Sequence, residues 1–121
     1  MFWSALAILW LLSPVHAAAT IRVIDGDTIE LSGTVYRLHG IDAPEAGQTC
    51  KTPSGGSWKC GQAAIDAIER LVSGKLIVCD RRDRDVYDRI IGVCTADGRD
   101  INADMVSMGL ARAFRNFPRI M

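Results

Sequence analysis

Arg37, Asp42 and Glu45 fall within nine positions of one another in the 121-residue chain, on the run Val35-Tyr36-Arg37-Leu38-His39-Gly40-Ile41-Asp42-Ala43-Pro44-Glu45. A guanidinium is a rigid fork of donors matched to phosphate, an aspartate is a hard oxygen ligand for a cation, and a glutamate is a candidate general base. Such a set is suited to cutting a phosphodiester. A further pair of carboxylates stands in Asp25-Gly26-Asp27, which alone reads as a common turn. It gains weight because Asp42-Ala43-Pro44-Glu45 is a second acidic turn, after a strand that can pair with the first. Two strand ends of one small sheet can bring Asp27 and Asp42 together. Oxygen ligands without spare Cys or His favour Ca²⁺ or Mg²⁺ over zinc, with waters kept on the ion.

The elements that must position these residues follow from periodicity. Residues 20–24, 28–31 and 35–38 read as three short strands joined by tight turns, a meander that must curl or be covered to bury its apolar face. Residues 46–59, rich in Gly, Ser and Pro, read as a long exposed loop. Ala64, Ala67, Ile68 and Leu71 recur at helical steps, giving a helix over about 61–73 that Gly74 stops. Residues 75–79 and 89–94 read as strands around Asp80-Arg81-Arg82-Asp83-Arg84-Asp85, a charged run with the character of a solvated loop. Asn102 reads as the N-cap of a second helix over 103–108.

Composition bounds the class. A length of 121 residues with 49% hydrophobic content provides one domain with a core. Fourteen basic and fourteen acidic residues cancel. That balance weighs against a tight, nonspecific nucleic-acid binder, which ordinarily carries a basic excess. The first twelve residues are apolar apart from Ser4 and are followed by Val15-His16-Ala17. Residues 1–17 read as a secretory signal cut after Ala17 or Ala19, leaving 18–121 as the mature domain. The rival reading is an uncleaved anchor, although the run is shorter than the ~20 residues that span a bilayer. The four cysteines, Cys50, Cys60, Cys79 and Cys94, fit disulfides in an oxidising compartment. Three pairings are open; if the region around Val86-Tyr87 is a hairpin, Cys79 faces Cys94, and Cys50 with Cys60 closes the Gly/Ser/Pro loop. Zinc is disfavoured because no cysteine pair has C-x-x-C spacing and only His39 remains after the signal.

Val23-Ile24-Asp25-Gly26-Asp27-Thr28-Ile29, Arg37 to Glu45, Gly61-Gln62-Ala63-Ala64, Asp85-Val86-Tyr87-Asp88-Arg89 and Asn102-Ala103 to Gly109-Leu110-Ala111 resemble the staphylococcal nuclease (thermonuclease) family, in order and with compatible spacing. The resemblance implies a mainly β, α+β fold: a five-stranded OB-type barrel with two packed helices. It implies Ca²⁺ bound by Asp27, Asp42 and the backbone carbonyl of Ala43, with Asp25 orienting the metal's waters. Glu45 matches the residue that activates water, and Arg37 and Arg89 match the pair that grips the scissile phosphate. Tyr87 resembles a substrate contact, although a tyrosine packed on the barrel is an equal alternative, and Phe114 stands where the family offers a ring for base stacking.

The implied activity is that of an exported, Ca²⁺-dependent, sugar-nonspecific endonuclease acting on DNA and RNA. Single-stranded or denatured substrate is preferred and 3′-phosphate ends are left. The protein is expected to be a secreted or periplasmic monomer, free of the membrane once its signal is removed. Departures from the family pattern are Asp88 in place of Gly, and a chain that ends without the family's third helix, for which two disulfides compensate. The alternative class is a secreted OB-type module that binds nucleic acid without cutting; silent domains tend to lose part of the set Asp27, Arg37, Asp42, Glu45 and Arg89.

Overall fold

Half-apolar runs form three antiparallel strands in the computed structural model, which describes residues 19–113: β1 (Ile21–Asp25), β2 (Thr28–Leu31) and β3 (Thr34–Leu38). Ser32 and Gly33, at φ 48° and 84°, make the tight β2–β3 turn in the left-handed geometry that matches strand twist. The chain then passes through β4 (Ile41–Asp42), β5 (Cys50–Lys51), β6 (Ser57–Trp58), α1 (Cys60–Val72), β7 (Ile77–Arg84), β8 (Ile90–Ala96), β9 (Arg99–Asp100), α2 (Ile101–Ser107) and β10 (Arg112–Ala113). The main sheet runs β1-β2-β3-β8-β7, with β9 on β8, and smaller pairs join β10 to β4 and β5 to β6. Strands β3 and β8 are parallel, a geometry that α1 and β7 make possible by carrying the chain back across the sheet. These five strands form an OB-like barrel that is not closed: among the described residues no pairing joins β7 to β1.

The core lies between the sheet and the two helices. Ala64, Ala67, Ile68 and Val72 on α1 and Ile101 and Met105 on α2 are buried against Ile29, Leu38 and Ile41. Truncating a side chain as enclosed as Ile68 or Ile29 to Ala costs about 2–5 kcal/mol. Gly26 lets the first acidic turn lie directly on α1, since a Cβ there would come within 2.5 Å of Ala64 Cβ and 2.8 Å of Ala43 Cβ.

Disulfide bonds join Cys50 to Cys60 and Cys79 to Cys94, and no free cysteine remains among the described residues. The second links directly opposed residues of β7 and β8.

Two local expectations are corrected. The charged run from Asp80 is not a loop, because β7 extends through it to Arg84 with a bulge between Arg81 and Asp83. This half of β7 pairs on one side only, and its side chains from Arg81 onward are exposed, so charge does not oppose strand formation there. The N-cap of α2 is Asp100, whose Oδ1 accepts from Ala103 N at 3.0 Å; Asn102 is buried inside the helix. Part of the 46–59 loop is ordered by the β5·β6 ladder. The signal at 1–17, Phe114 and the C-terminal stretch after Ala113 lie outside the described residues. Among the described residues, no helix is long and apolar enough to cross a membrane.

Candidate active site

Asp27 closes the β1–β2 turn and is buried, so its carboxylate must find partners within the protein. Its Oδ2 accepts from Ala43 N at 3.0 Å and its Oδ1 from Thr28 Oγ1 at 2.9 Å. These bonds tie the first acidic turn to the second across sixteen positions. On β3, Arg37 Nη1 donates to Ile41 O at 2.9 Å and Leu38 O at 3.2 Å, and lies 3.4 Å from Asp27 Oδ2. Its Nη2 lies 3.6 Å from Asp42 Oδ1. One guanidinium therefore reaches both carboxylates. Asp42 is largely exposed at 64% of its side chain, whereas Arg37 keeps only 21% in solvent, so Arg37 is held firmly and Asp42 is open to a ligand.

Arg89 precedes β8. In the parallel register Tyr36 stands beside Ile90 and Arg37 beside Ile91, so the loop that ends at Arg89 leads directly into the strand neighbouring Arg37. Asp85 organises the loop that presents it. Asp85 Oδ1 accepts from Tyr87 N and Arg89 N, both at 2.9 Å, and Oδ2 accepts from Arg89 Nε at 2.7 Å. Partial burial pushes the Asp85 carboxyl upward, but the bonds from Arg89 and Tyr87 outweigh it and hold the group below the ordinary aspartate value. Both Nη groups of Arg89 remain without a partner among the described residues, and its guanidinium carbon lies 5.4 Å from the Tyr87 ring centroid. Tyr87 itself is 78% exposed and so does not pack on the barrel. Asp88 adopts φ 63°, the left-handed geometry a glycine would take there without strain, and its carboxylate pairs with Arg84 Nη1 at 2.7 Å.

Glu45 is exposed, on a loop fixed from three sides. Its N–H donates to Gln48 Oε1 at 3.1 Å and its carbonyl accepts from Gln48 N at 2.9 Å. Asp25 Oδ1 accepts from Ala46 N at 2.9 Å. Gly61 at the start of α1 lies so close that any Cβ would overlap the Glu45 carbonyl oxygen, and Gly61 N donates to Gln48 O.

The donor chemistry fits a hard divalent cation. Among the described residues no three of His, Cys, Asp and Glu cluster, so an ion here would rely on Asp27, Asp42 and main-chain oxygen, with waters completing its shell. The hydrogen bonds to Asp27 leave lone pairs on both of its oxygens.

Asp85 and Asn102 carry structural roles that sequence reasoning missed. Asp85 had a local signal, since an Asp two before Tyr87 and four before Arg89 can cap its own turn. Asn102 had none: its Nδ2 donates to His39 O at 2.7 Å and its Oδ1 accepts from Cys94 N at 3.3 Å, contacts remote in sequence.

A family model described as staphylococcal nuclease homologue matches residues 35–119. The succinoglycan biosynthesis protein ExoI of Rhizobium meliloti (strain 1021) is 38% identical over 91 residues, covering 74% of this chain and 48% of its own length. An uncharacterized endonuclease of Escherichia coli is 36% identical over 102 residues, with 80% and 60% covered. Protein ParB of Escherichia coli is 32% identical over 128 residues, with 93% and 67% covered. The chain thus spans about half the length of the first relative and three fifths of the second. With the match extending from the strand that carries Arg37 beyond β10, the chain belongs to the staphylococcal nuclease homologue family.

Proposed function

We propose that this chain is an exported, Ca²⁺-dependent nuclease that hydrolyses phosphodiesters in DNA and RNA, prefers single-stranded or denatured substrate, leaves 3′-phosphate ends and acts as a monomer. One observation carries the proposal: a single guanidinium within reach of two carboxylates, with a second arginine at the entry to the adjoining strand. A relative named as an endonuclease supports it.

Asp27, Asp42 and the Ala43 carbonyl would hold the ion, which supplies electrostatic stabilisation of charge growing on the phosphate oxygens. Arg37 and the Nη groups of Arg89, unpartnered among the described residues, bind the non-bridging oxygens and orient the phosphorus. The Glu45 carboxylate accepts the proton of the attacking water, and Asp25 holds its loop through Ala46. Tyr87 and Phe114 contact the substrate strand. The two disulfides and the apolar first twelve residues support export. A second reading, binding without cutting, draws on the Asp85–Arg89 pair, which already occupies one donor of the second arginine.

Denatured DNA incubated with the mature protein in Ca²⁺ or in EGTA tests this reading. Cutting should require Ca²⁺ and should fall at least about a hundredfold in Glu45→Gln and in Arg89→Ala. Undiminished cutting by both variants, or equal cutting in EGTA, refutes the mechanism; no cutting by the wild type leaves the binding module.

A further inference from the structure

A cavity of about 300 Å³ adjoins Asp42 and Ala43 of the proposed metal centre, and its other lining residues take no direct part in the chemistry above. Three segments line it: Asp42 to Pro44 with Gln48, the loop closed by the Cys50–Cys60 disulfide, and residues 109–112 after α2. Trp58 is the aromatic member of the lining and is 40% exposed, on the strand β6 that pairs with β5. Arg112 enters from β10, where it stands directly opposite Asp42. Gln48 Oε1 is taken by Glu45 N, which leaves the Gln48 amide group as a donor beside the cavity.

We infer that this cavity is a subsite for one nucleotide of a single-stranded substrate, adjacent to the scissile phosphate, with its base stacked on Trp58 and its phosphate paired with Arg112. Three features select that occupant. Asp42 and Ala43 are shared between the cavity and the proposed metal and phosphate centre, so a chain held at one continues into the other. A half-exposed indole with a nearby guanidinium is the pairing that binds single strands, where stacking accepts any base and the cation takes the backbone. The amide of Gln48 provides a donor for a base edge, without which a purely apolar site would take any ring. The Cys50–Cys60 bond fixes the loop carrying Trp58 to the first residue of α1, so the platform is preorganised. The inference rests on the nuclease reading for its chemistry but not for its binding geometry.

The test uses the full chain and short oligothymidylate. Trp58→Ala should raise KM about tenfold with kcat unchanged, the lower part of what one stacked base contributes, and Trp58→Phe should restore KM to within about threefold. Arg112→Gln should raise KM by a few fold. In EGTA, oligothymidylate should quench indole emission of the wild type and leave that of Trp58→Phe unchanged. An unaltered KM in Trp58→Ala, an equal fall of kcat, or identical quenching in Trp58→Phe overturns the subsite while leaving the nuclease reading intact. If the wild type cuts nothing yet shows the Trp58-dependent quench, the subsite stands and the hydrolytic reading falls.

Discussion

Asp25 Oδ1 accepts a hydrogen bond from the main chain of Ala46 at 2.9 Å, so the carboxylate that opens the first acidic turn holds the residue immediately after Glu45. The side chain and the loop it restrains are twenty-one positions apart. Asp25→Ala should lower kcat about tenfold by loosening the Glu45 loop, and lower stability by only about 1 kcal/mol because the bond is exposed. Asp25→Asn keeps an acceptor oxygen and should recover most of kcat. Steady-state kinetics alongside thermal melts check both statements.

Arg37→Lys is a severe change at this position. The guanidinium donates to Ile41 O and Leu38 O while facing Asp27 and Asp42, a span that a single ammonium cannot cover. The variant should lose about 1–3 kcal/mol of stability and at least about a hundredfold in kcat/KM. Urea unfolding gives the first quantity and DNA cleavage the second.

Asn102 is a bolt between β3, β8 and α2. Its amide serves His39 O and Gly92 O and accepts from Cys94 N, the last two in the interior and the first at its edge. Asn102→Ala removes the side-chain partner of His39 O and Cys94 N, while Gly92 O keeps its bond from His39 N, and should cost about 2–4 kcal/mol, a fall in melting temperature on the order of 15 °C. Specific activity per folded molecule at low temperature should stay near wild type, since Asn102 touches no proposed reacting group.

The Asp85 loop should respond to acid. Because the folded Asp85 carboxyl lies below its ordinary value, its contribution is present above the unfolded pKa and is lost as pH falls through the folded one. Side-chain carboxyl NMR of Asp85 should titrate below that of a free aspartate. Amide protection at Tyr87 and Arg89 should fall over the same acid range, with Asp85→Ala lacking that protection at every pH.

Much of the site was legible because its parts are local. The turn chemistry of Asp25-Gly26-Asp27 and the helical spacing of Ala64, Ala67 and Ile68 need only neighbouring residues, and both stand in the structure. The charged half of β7 was not legible, since hydrophobic alternation cannot mark a strand whose side chains face water throughout. Nor was Asn102, where a good capping residue one position into a helix serves a distant ladder instead. The dual reach of Arg37 depends on β4 coming back within reach of its guanidinium, and Gly61 belongs to the site only because its missing Cβ admits the Glu45 carbonyl. Those are properties of tertiary approach, not of composition.

The Cys79–Cys94 bond acts as a ruler. It closes a loop of fifteen positions and opposes the two residues that set the register of β7 on β8. A slip of β8 by two residues would keep every apolar side chain on its proper face and would therefore escape the hydrophobic discrimination that corrects a slip of one. It would also shift Arg89 about 7 Å along β7 and reshape the Asp85 loop that presents it. The covalent bond forbids that error, so once oxidised the β7–β8 hairpin keeps the loop that presents Arg89 in one register, even while the rest of the barrel is unfolded.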